Sequence, residues 1–151
     1  MNGTEMEKVD TEKDVGVLVN KTGKPSEQCT KASRTANGIL SQISKAFHYR
    51  DRHIFLKLYK RQVRVHLEYA TPAWSPWQVG DCEVLEKVQK RAVNMISGLS
   101  GSYEEKLNVL NIEKLSTRRF RADMIETYKI LNNIDLALSN LLWNFRFSVR
   151  L

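Results

Sequence analysis

The sequence predicts an all-α domain, a helical bundle of four to five helices preceded by one short β-strand. Three observations support this fold class. Apolar residues recur every three or four positions in several segments, which is the period of a helix packed on one side. Helix-start signals precede these segments, and glycine or proline follows several of them. Alternation of apolar and polar residues is confined to one short stretch, Val15 to Val19.

The N-terminal part is predicted to hold little ordered structure. Residues 1–13 are charged and lack apolar periodicity, so we expect a disordered start. Residues 14–24 contain the alternating strand and then a turn around Gly23. No partner strand is apparent. Because a lone strand is not a stable sheet, we expect a marginal fold with an association tendency.

Residues 25–135 are predicted to form the helical domain. The first helix begins near Ser26, and the second runs from the N-cap Asp51 to about Tyr69, before Pro72 and Pro76. Three further helices follow. The third spans residues 81–96, a short fourth opens at the Ser102–Glu105 capping box and runs through Leu107, and the last spans about residues 114–132.

Each long helix has an apolar stripe that is predicted to face the core. The stripes are Cys29, Ala32, Ala36, Ile39, Leu40, Ile43 and Phe47; Ile54, Phe55, Leu58, Tyr59, Val63 and Leu67; Val84, Leu85, Val88, Ala92, Val93 and Ile96; and Leu115, Phe120, Met124, Ile125, Tyr128 and Leu131.

Composition limits the kinds of partner. The chain has 151 residues, a formal net charge of +7 and a pI near 9.5, which favours a polyanion such as nucleic acid. Cys29 and Cys82 are isolated, which fits neither a disulfide framework nor a zinc signature. No apolar run reaches the ~20 residues of a membrane span, and no signal peptide is visible. We therefore expect an intracellular protein, nuclear or cytoplasmic, without a membrane partner.

No catalytic or metal-binding residues are predicted. The aspartates are scattered, without the paired carboxylates that a two-metal site requires. His48, His53 and His66 lack cysteines at ligand spacing, and no motif marks a nucleophile. The sequence gives no reason to expect a cofactor.

Basic residues form three clusters that are candidates for weak contact with a nucleic-acid backbone, because Arg and Lys bind phosphates. The clusters are Lys57, Lys60, Arg61 and Arg64 on the second helix; Lys87, Lys90 and Arg91 on the third; and Arg118, Arg119 and Arg121 on the last. Solvated faces without a ligand are the alternative. Trp74 and Trp77 flank a proline turn, where packing over a helix corner is favoured over base stacking.

Two longer runs carry a family resemblance. They are Leu67-Glu68-Tyr69-Ala70-Thr71-Pro72-Ala73-Trp74-Ser75-Pro76 and Leu85-Glu86-Lys87-Val88-Gln89-Lys90-Arg91-Ala92. They resemble the segment just after the polymerase palm in reverse transcriptases of non-LTR, LINE-type (jockey-like) retrotransposons. Six shorter segments follow the same family order: Asp14–Asn20, Ala36–Leu40, Phe47–Asp51, Tyr103–Leu107, Arg118–Ile125 and Tyr128–Asn132. The resemblance covers roughly residues 12–132.

The resemblance implies a thumb-like region that follows the palm. Residues 14–24 would be a strand and turn derived from the palm, and residues 25–135 the thumb-like domain, which grips the template–primer backbone. The family's catalytic Asp-Asp pair is absent from this chain. The expected function is sequence-independent contact with an RNA–DNA or DNA backbone, without catalysis, and the missing palm is a further expected partner.

The chain also departs from the family pattern. Val65 stands where the family usually has proline, and Val15 where leucine is usual. Residues 136–151 match little of the pattern and form a divergent tail. Two other functions therefore stay open: a helical protein-interaction module, or an inert relic of a decayed mobile element.

Overall fold

The computed structural model describes residues 10–132 and Ile134. This part of the chain is mostly helical, with one two-stranded antiparallel sheet, which confirms the predicted all-α class with a short strand at the N-terminal end. The elements are β1 (Thr11–Asp14), β2 (Val17–Asn20), α1 (Ser26–Ala46), α2 (Arg52–Leu58), a π-helical segment (Tyr59–Val63), α3 (Arg64–Glu68), α4 (Thr71–Trp74), α5 (Val79–Asn94), α6 (Tyr103–Leu110) and α7 (Leu115–Leu131). The predicted tail, residues 136–151, lies outside the described residues, as do residues 1–9.

The predicted strand has a partner in this chain. β1 pairs antiparallel with β2, with Thr11 opposite Asn20 and Asp14 opposite Val17. Residues 11–13 therefore belong to a strand and not to a disordered start. Val15 lies in the turn with a φ of 43°, followed by Gly16 at 87°, and positive φ at both positions suits a two-residue hairpin. The expectation of a lone strand was therefore wrong. The sequence does not reveal β1 as a strand, because its residues are mostly charged and show no apolar alternation.

Backbone atoms of the hairpin form hydrogen bonds with side chains of the helical part of the protein. The Leu18 amide donates to Gln28 Oε1 at 2.9 Å, and Lys31 Nζ donates to the Gly16 carbonyl at 2.8 Å. Tyr69, beyond α3, donates its hydroxyl to the Val15 carbonyl at 3.1 Å. β2 therefore pairs with β1, and the hairpin is bonded to α1 and to Tyr69. The argument that an unpaired strand makes the fold marginal no longer applies.

Three helices enclose most of the core: α1, α5 and the middle helix, which is the unbroken run of α2, the π-helical segment and α3. The core comprises Val17, Cys29, Ala32, Ala36, Leu40, Ile43, Phe55, Tyr59, Val63, Leu67, Trp74, Leu85, Val88, Ala92, Val93, Ile96, Leu107, Leu110, Ile112 and Leu115. The α1 and α5 stripes are largely as predicted, although Phe47 follows the end of α1 and is exposed.

The π-helical segment keeps the buried stripe of the middle helix in line. Phe55, Tyr59, Val63 and Leu67 are all buried and lie four residues apart. In an α-helix each step of four overshoots a full turn by about 40°, so three steps would drift by about 120°. The wider turn, in which the Arg64 amide donates to the Tyr59 carbonyl, offsets most of this drift. Ile54, which was predicted to face inward, is exposed instead.

The two predicted helix caps are present. The Asp51 side chain accepts from the amides of His53 and Ile54 at the start of α2. Ser102 and Glu105 form the reciprocal capping box, and α6 continues to Leu110, beyond the predicted end. These short-range signals were readable from sequence because the bonds join residues two or three positions apart.

A tight corner joins α3 to α5. Ala70 has a left-handed backbone with φ 50°, and α4 follows at once, with Pro72 in its first turn. Trp74 is buried and donates its indole Nε1 to the Tyr69 carbonyl at 2.7 Å. Packing is therefore the role of Trp74, whereas Trp77 is 67% exposed and does not pack as predicted.

The inward face predicted for α7 was wrong except at Leu115. Phe120, Met124, Tyr128 and Leu131 are all more than half exposed, and Ile125 is half exposed. The side chains that α7 buries are Leu115 and Arg119. Periodicity identifies the apolar face of a helix. It does not show whether another described element packs against that face.

Replacing Trp74 by alanine should lower the free energy of unfolding by about 3–5 kcal/mol, because a large buried ring and its hydrogen bond are lost. Urea denaturation followed by circular dichroism would measure the change. Trp77→Ala is the matched control and should shift stability by no more than about 0.5 kcal/mol, since the Trp77 ring is mostly exposed. Equal losses in the two variants would contradict the packing role.

Candidate nucleic-acid interface

The middle-helix cluster keeps three of its four basic side chains free of ion pairs with other described residues. Lys57 and Arg61 are exposed, and Lys60 is half-buried. None of these three forms an ion pair with another described residue. They lie within about one turn of one another, outside the stripe of Phe55, Tyr59, Val63 and Leu67. They therefore present unneutralised positive charge to solvent.

Arg64, the fourth residue of that cluster, is engaged within the protein. Its Nε lies 3.6 Å from Glu68 Oε2, one turn later in the same helix. Glu68 also accepts two bonds from Arg118 of α7, one from Nε and one from Nη2 at 3.0 Å. This bidentate bond raises the pKa of Arg118 above its usual range. Glu68 thus joins the middle helix to α7. It also neutralises two of the candidate cations, Arg64 and Arg118.

The α5 cluster is divided between its neighbours. Arg91 donates to Asn37 Oδ1 at 3.0 Å and to Ser41 Oγ at 3.3 Å, which ties α5 to α1. Lys90 Nζ lies 5.2 Å from the centre of the Tyr103 ring, in a cation–π contact with α6. Lys87 is exposed and forms no ion pair with a described residue.

Lys87 does not share a surface with the middle-helix cluster. It lies opposite Leu85 and Val88, on the side of α5 that faces away from the core. The middle helix contacts α5 on the core side, where the Tyr59 hydroxyl donates to Gln89 Oε1 at 2.6 Å. The two helices therefore direct their outer faces, and their free lysines, away from each other.

A groove of about 460 Å³ lies beside α5 and also disfavours phosphate binding on that side. Its walls include Glu83, Glu86 and Glu104, against Lys90 and Lys114. Lys114 is already paired with Glu104, and this pairing lowers the carboxyl pKa and raises that of the amine. A polyanion would meet more carboxylates than free amines here.

The α7 cluster is separated by helical geometry. Arg121 pairs with Glu113, with Nη1 at 2.8 Å from Oε2, and this contact lowers the pKa of Glu113. Arg119 is only 4% exposed, so its predicted place on a binding surface was wrong. Its Nη1 and Nη2 have no hydrogen-bond partner among the described residues. Adjacent helical residues are about 100° apart, so an Arg-Arg-x-Arg run cannot form one face.

The cluster that remains is Lys57, Lys60 and Arg61, and its surroundings add basic side chains that sequence reasoning missed. Arg52, His53 and His66 are exposed on the same helix. His53 precedes Lys57 by four residues, the spacing that places two side chains on one helical face. That four-residue spacing is the sequence signal that places His53 beside Lys57.

Within the described residues, the other reactive groups do not form a centre. Burial raises the pKa of the Cys29 thiol to about 12, and the cysteine is inside the core. In the described ranges, no three His, Cys, Asp or Glu side chains come close enough to hold a metal ion. No helix of that part of the chain has the length and apolar character needed to cross a membrane.

Comparison with known proteins identifies no relative: no family model, curated protein or solved structure matches the chain.

Replacing Glu68 by glutamine should release Arg64 and Arg118 and tighten nucleic-acid binding at low salt. The plot of log K against log salt should become steeper by about 0.9 for each newly made phosphate contact on duplex DNA. Stability should fall by about 1–3 kcal/mol, because the half-buried guanidinium of Arg118 loses its charged partner. Fluorescence anisotropy across a salt series and urea denaturation would measure both effects.

Glu113→Gln is the matched control for that change. It removes the same charge and releases Arg121, but it leaves the link between the middle helix and α7 intact. An unchanged salt slope in the Glu68 variant would mean that Arg64 and Arg118 lie away from any bound backbone.

Proposed function

We propose that this chain is a thumb-like, non-catalytic C-terminal fragment of a retrotransposon RNA-directed DNA polymerase, which binds the backbone of RNA–DNA or DNA without reading sequence. The family assignment rests on the ordered sequence segments that resemble the post-palm region. The binding role rests on one observation: Lys57, Lys60 and Arg61 stand together on the middle helix without ion-pair partners in the described part of the chain. The proposed location is the nucleus or cytoplasm, and the proposed partners are nucleic acid and the missing palm.

The geometry of the middle helix limits how strong this binding can be. From His53 to Arg64 the helix rises about 16 Å, which matches about five nucleotides at 3.4 Å each. Three free cations in that span support about three phosphate contacts. Contacts of this kind fix no base identity, because phosphates carry no sequence information. The dissociation constant should therefore lie in the non-specific range, on the order of 10⁻⁴ M.

The proposal is tested by changing Lys57, Lys60 and Arg61 together to glutamine. The slope of log K against log salt on duplex DNA should flatten by about 2.7, which is about 0.9 for each lost phosphate contact. Helicity should stay unchanged, since exposed substitutions alter stability by about 0.5 kcal/mol or less. Fluorescence anisotropy with a labelled duplex and with an RNA–DNA hybrid provides the measurement.

The control removes the same charge elsewhere, with Lys13, Lys24 and Lys87 changed to glutamine. These three side chains are exposed on β1, before α1 and on the outer face of α5. The control should keep most of the wild-type slope. Equal slopes for the two triple variants would show that net charge, and not this cluster, governs binding. No measurable binding of the wild-type chain at low salt would favour the relic or the interaction module.

The chain is also expected to incorporate no nucleotides, because it lacks the paired aspartates of the family's polymerase motif. Primer extension on a poly-A template with Mg²⁺ would test this, with an active reverse transcriptase as the positive control. Incorporation above the level seen without protein would refute the non-catalytic assignment.

A further inference from the structure

An exposed apolar strip runs along α7, and we name it the outer stripe: Phe120, Met124, Tyr128 and Leu131. These side chains are 67%, 55%, 62% and 76% exposed. At about 100° per residue they fall within about 80° around the helix axis, so they form one face about 17 Å long. The described part of the protein leaves this face largely uncovered.

The outer stripe offers enough apolar area for a specific interface. A covered aromatic side chain buries about 150–250 Å², so Phe120 and Tyr128, which are about two-thirds exposed, still offer roughly 100–160 Å² each. With Met124, Leu131 and the half-exposed Ile125 at its edge, the face presents on the order of 600 Å². A stable interface of standard size takes about 800 Å² from each partner. The stripe supplies most of that area, and the polar residues along it supply the rest.

We propose that the outer stripe is the contact surface of a homodimer, in which α7 packs antiparallel against α7 of a second copy. A two-fold contact requires a surface that is complementary to itself. The outer stripe meets this requirement, because turning a second α7 end for end about its midpoint sets Phe120 against Leu131 and Met124 against Tyr128. Both pairs are apolar, and a methionine sulfur beside an aromatic ring makes a favourable contact. The inference rests on α7 alone and not on the proposed nucleic-acid binding.

The charges along α7 are compatible with this contact. The charged side chains that flank the stripe already have partners, since Arg121 pairs with Glu113 and Asp123 accepts from the Ser75 hydroxyl at 3.4 Å. Packing two stripes together therefore buries no isolated charge, which would be costly. In the antiparallel arrangement Arg121 also comes beside the last turn of the second copy's α7, where free backbone carbonyls carry partial negative charge.

Sedimentation velocity of the full-length chain, without nucleic acid, tests the dimer. Between about 1 and 100 μM the wild type should pass from monomer to dimer, since interfaces near this size reach micromolar affinity or better. Met124→Glu places an unpaired charge at the centre of the contact and should weaken dimerisation by roughly tenfold or more. Val109→Glu is the matched control, because Val109 is 56% exposed and the change adds the same charge on another helix, α6. The control should dimerise as the wild type does.

A pair of opposite charges tests the antiparallel register. Tyr128→Lys should also weaken self-association, because it sets an ammonium group against Met124 of the second copy. A mixture of the Met124→Glu and Tyr128→Lys variants should form a heterodimer that is roughly tenfold or more tighter than either homodimer. The new carboxylate and ammonium face each other in that heterodimer, while the second Met124–Tyr128 contact is unchanged. Dimers restored by mixing also show that both variants fold.

Three results would overturn the proposal. A wild type that stays monomeric at about 100 μM would leave the stripe to another occupant. A dimer that survives Met124→Glu would place the contact elsewhere on the protein. A mixture that is no tighter than either variant alone would exclude the antiparallel register. Each of these results is independent of the affinity for DNA.

Discussion

The packing of the helices depends on one buried amide side chain, that of Gln89 in α5. It is 1% exposed, and its Oε1 accepts from the Tyr59 hydroxyl of the middle helix at 2.6 Å. Its Nε2 donates to the Tyr103 hydroxyl of α6 at 3.0 Å and to the Glu113 carbonyl, before α7, at 2.9 Å. Removing the Tyr59 hydroxyl would leave the buried Oε1 without its partner, a loss of about 1–3 kcal/mol. The amide therefore fixes three elements against α5 at once.

Glu86, one turn earlier in α5, extends this network to the first turn of α7. Its carboxylate accepts from the Tyr103 hydroxyl at 2.5 Å and from the Leu115 amide at 3.1 Å. Burial raises the pKa of Tyr103, and the bond to Glu86 raises it further, so the phenol stays a donor at neutral pH. With its first amide held here and Arg118 held by Glu68, α7 cannot rotate freely about its axis. Its register then turns Arg119 inward and leaves exposed the apolar residues Phe120, Met124, Tyr128 and Leu131.

This constraint explains which parts of the fold the sequence could predict. The Asp51 and Ser102 caps were readable because a cap joins residues only two or three positions apart. The apolar stripes of α1 and α5 were readable because both helices lie in the main core. For α7, periodicity located an apolar face, but the long-range bonds at Leu115 and Arg118 decided its orientation, and a local pattern does not contain them. β1 was missed because its strand character comes from pairing with β2, not from its own charged residues.

The same limit applies to the candidate site. Spacing located the clusters but not their partners, and the structure divides the candidate cations largely by residue type. The guanidinium groups of Arg64, Arg91, Arg118 and Arg121 are bonded inside the protein, whereas Lys57, Lys60 and Lys87 form no ion pair with a described residue. A planar guanidinium suits fixed carboxylate and amide acceptors, while a strongly hydrated ammonium loses more by leaving water.

Net charge therefore overstates the surface available to a polyanion, because Arg64, Arg91, Arg118 and Arg121 are bonded to other side chains, Arg91 and Arg118 as links between helices. The members of the predicted cluster that stay free on the middle helix are Lys57, Lys60 and Arg61. Lysine ammonium groups act as point charges and lack the bidentate geometry with which arginine recognises a guanine edge. A surface of this composition is suited to a phosphate backbone of any sequence, and its affinity is set by how many phosphates one helix can reach.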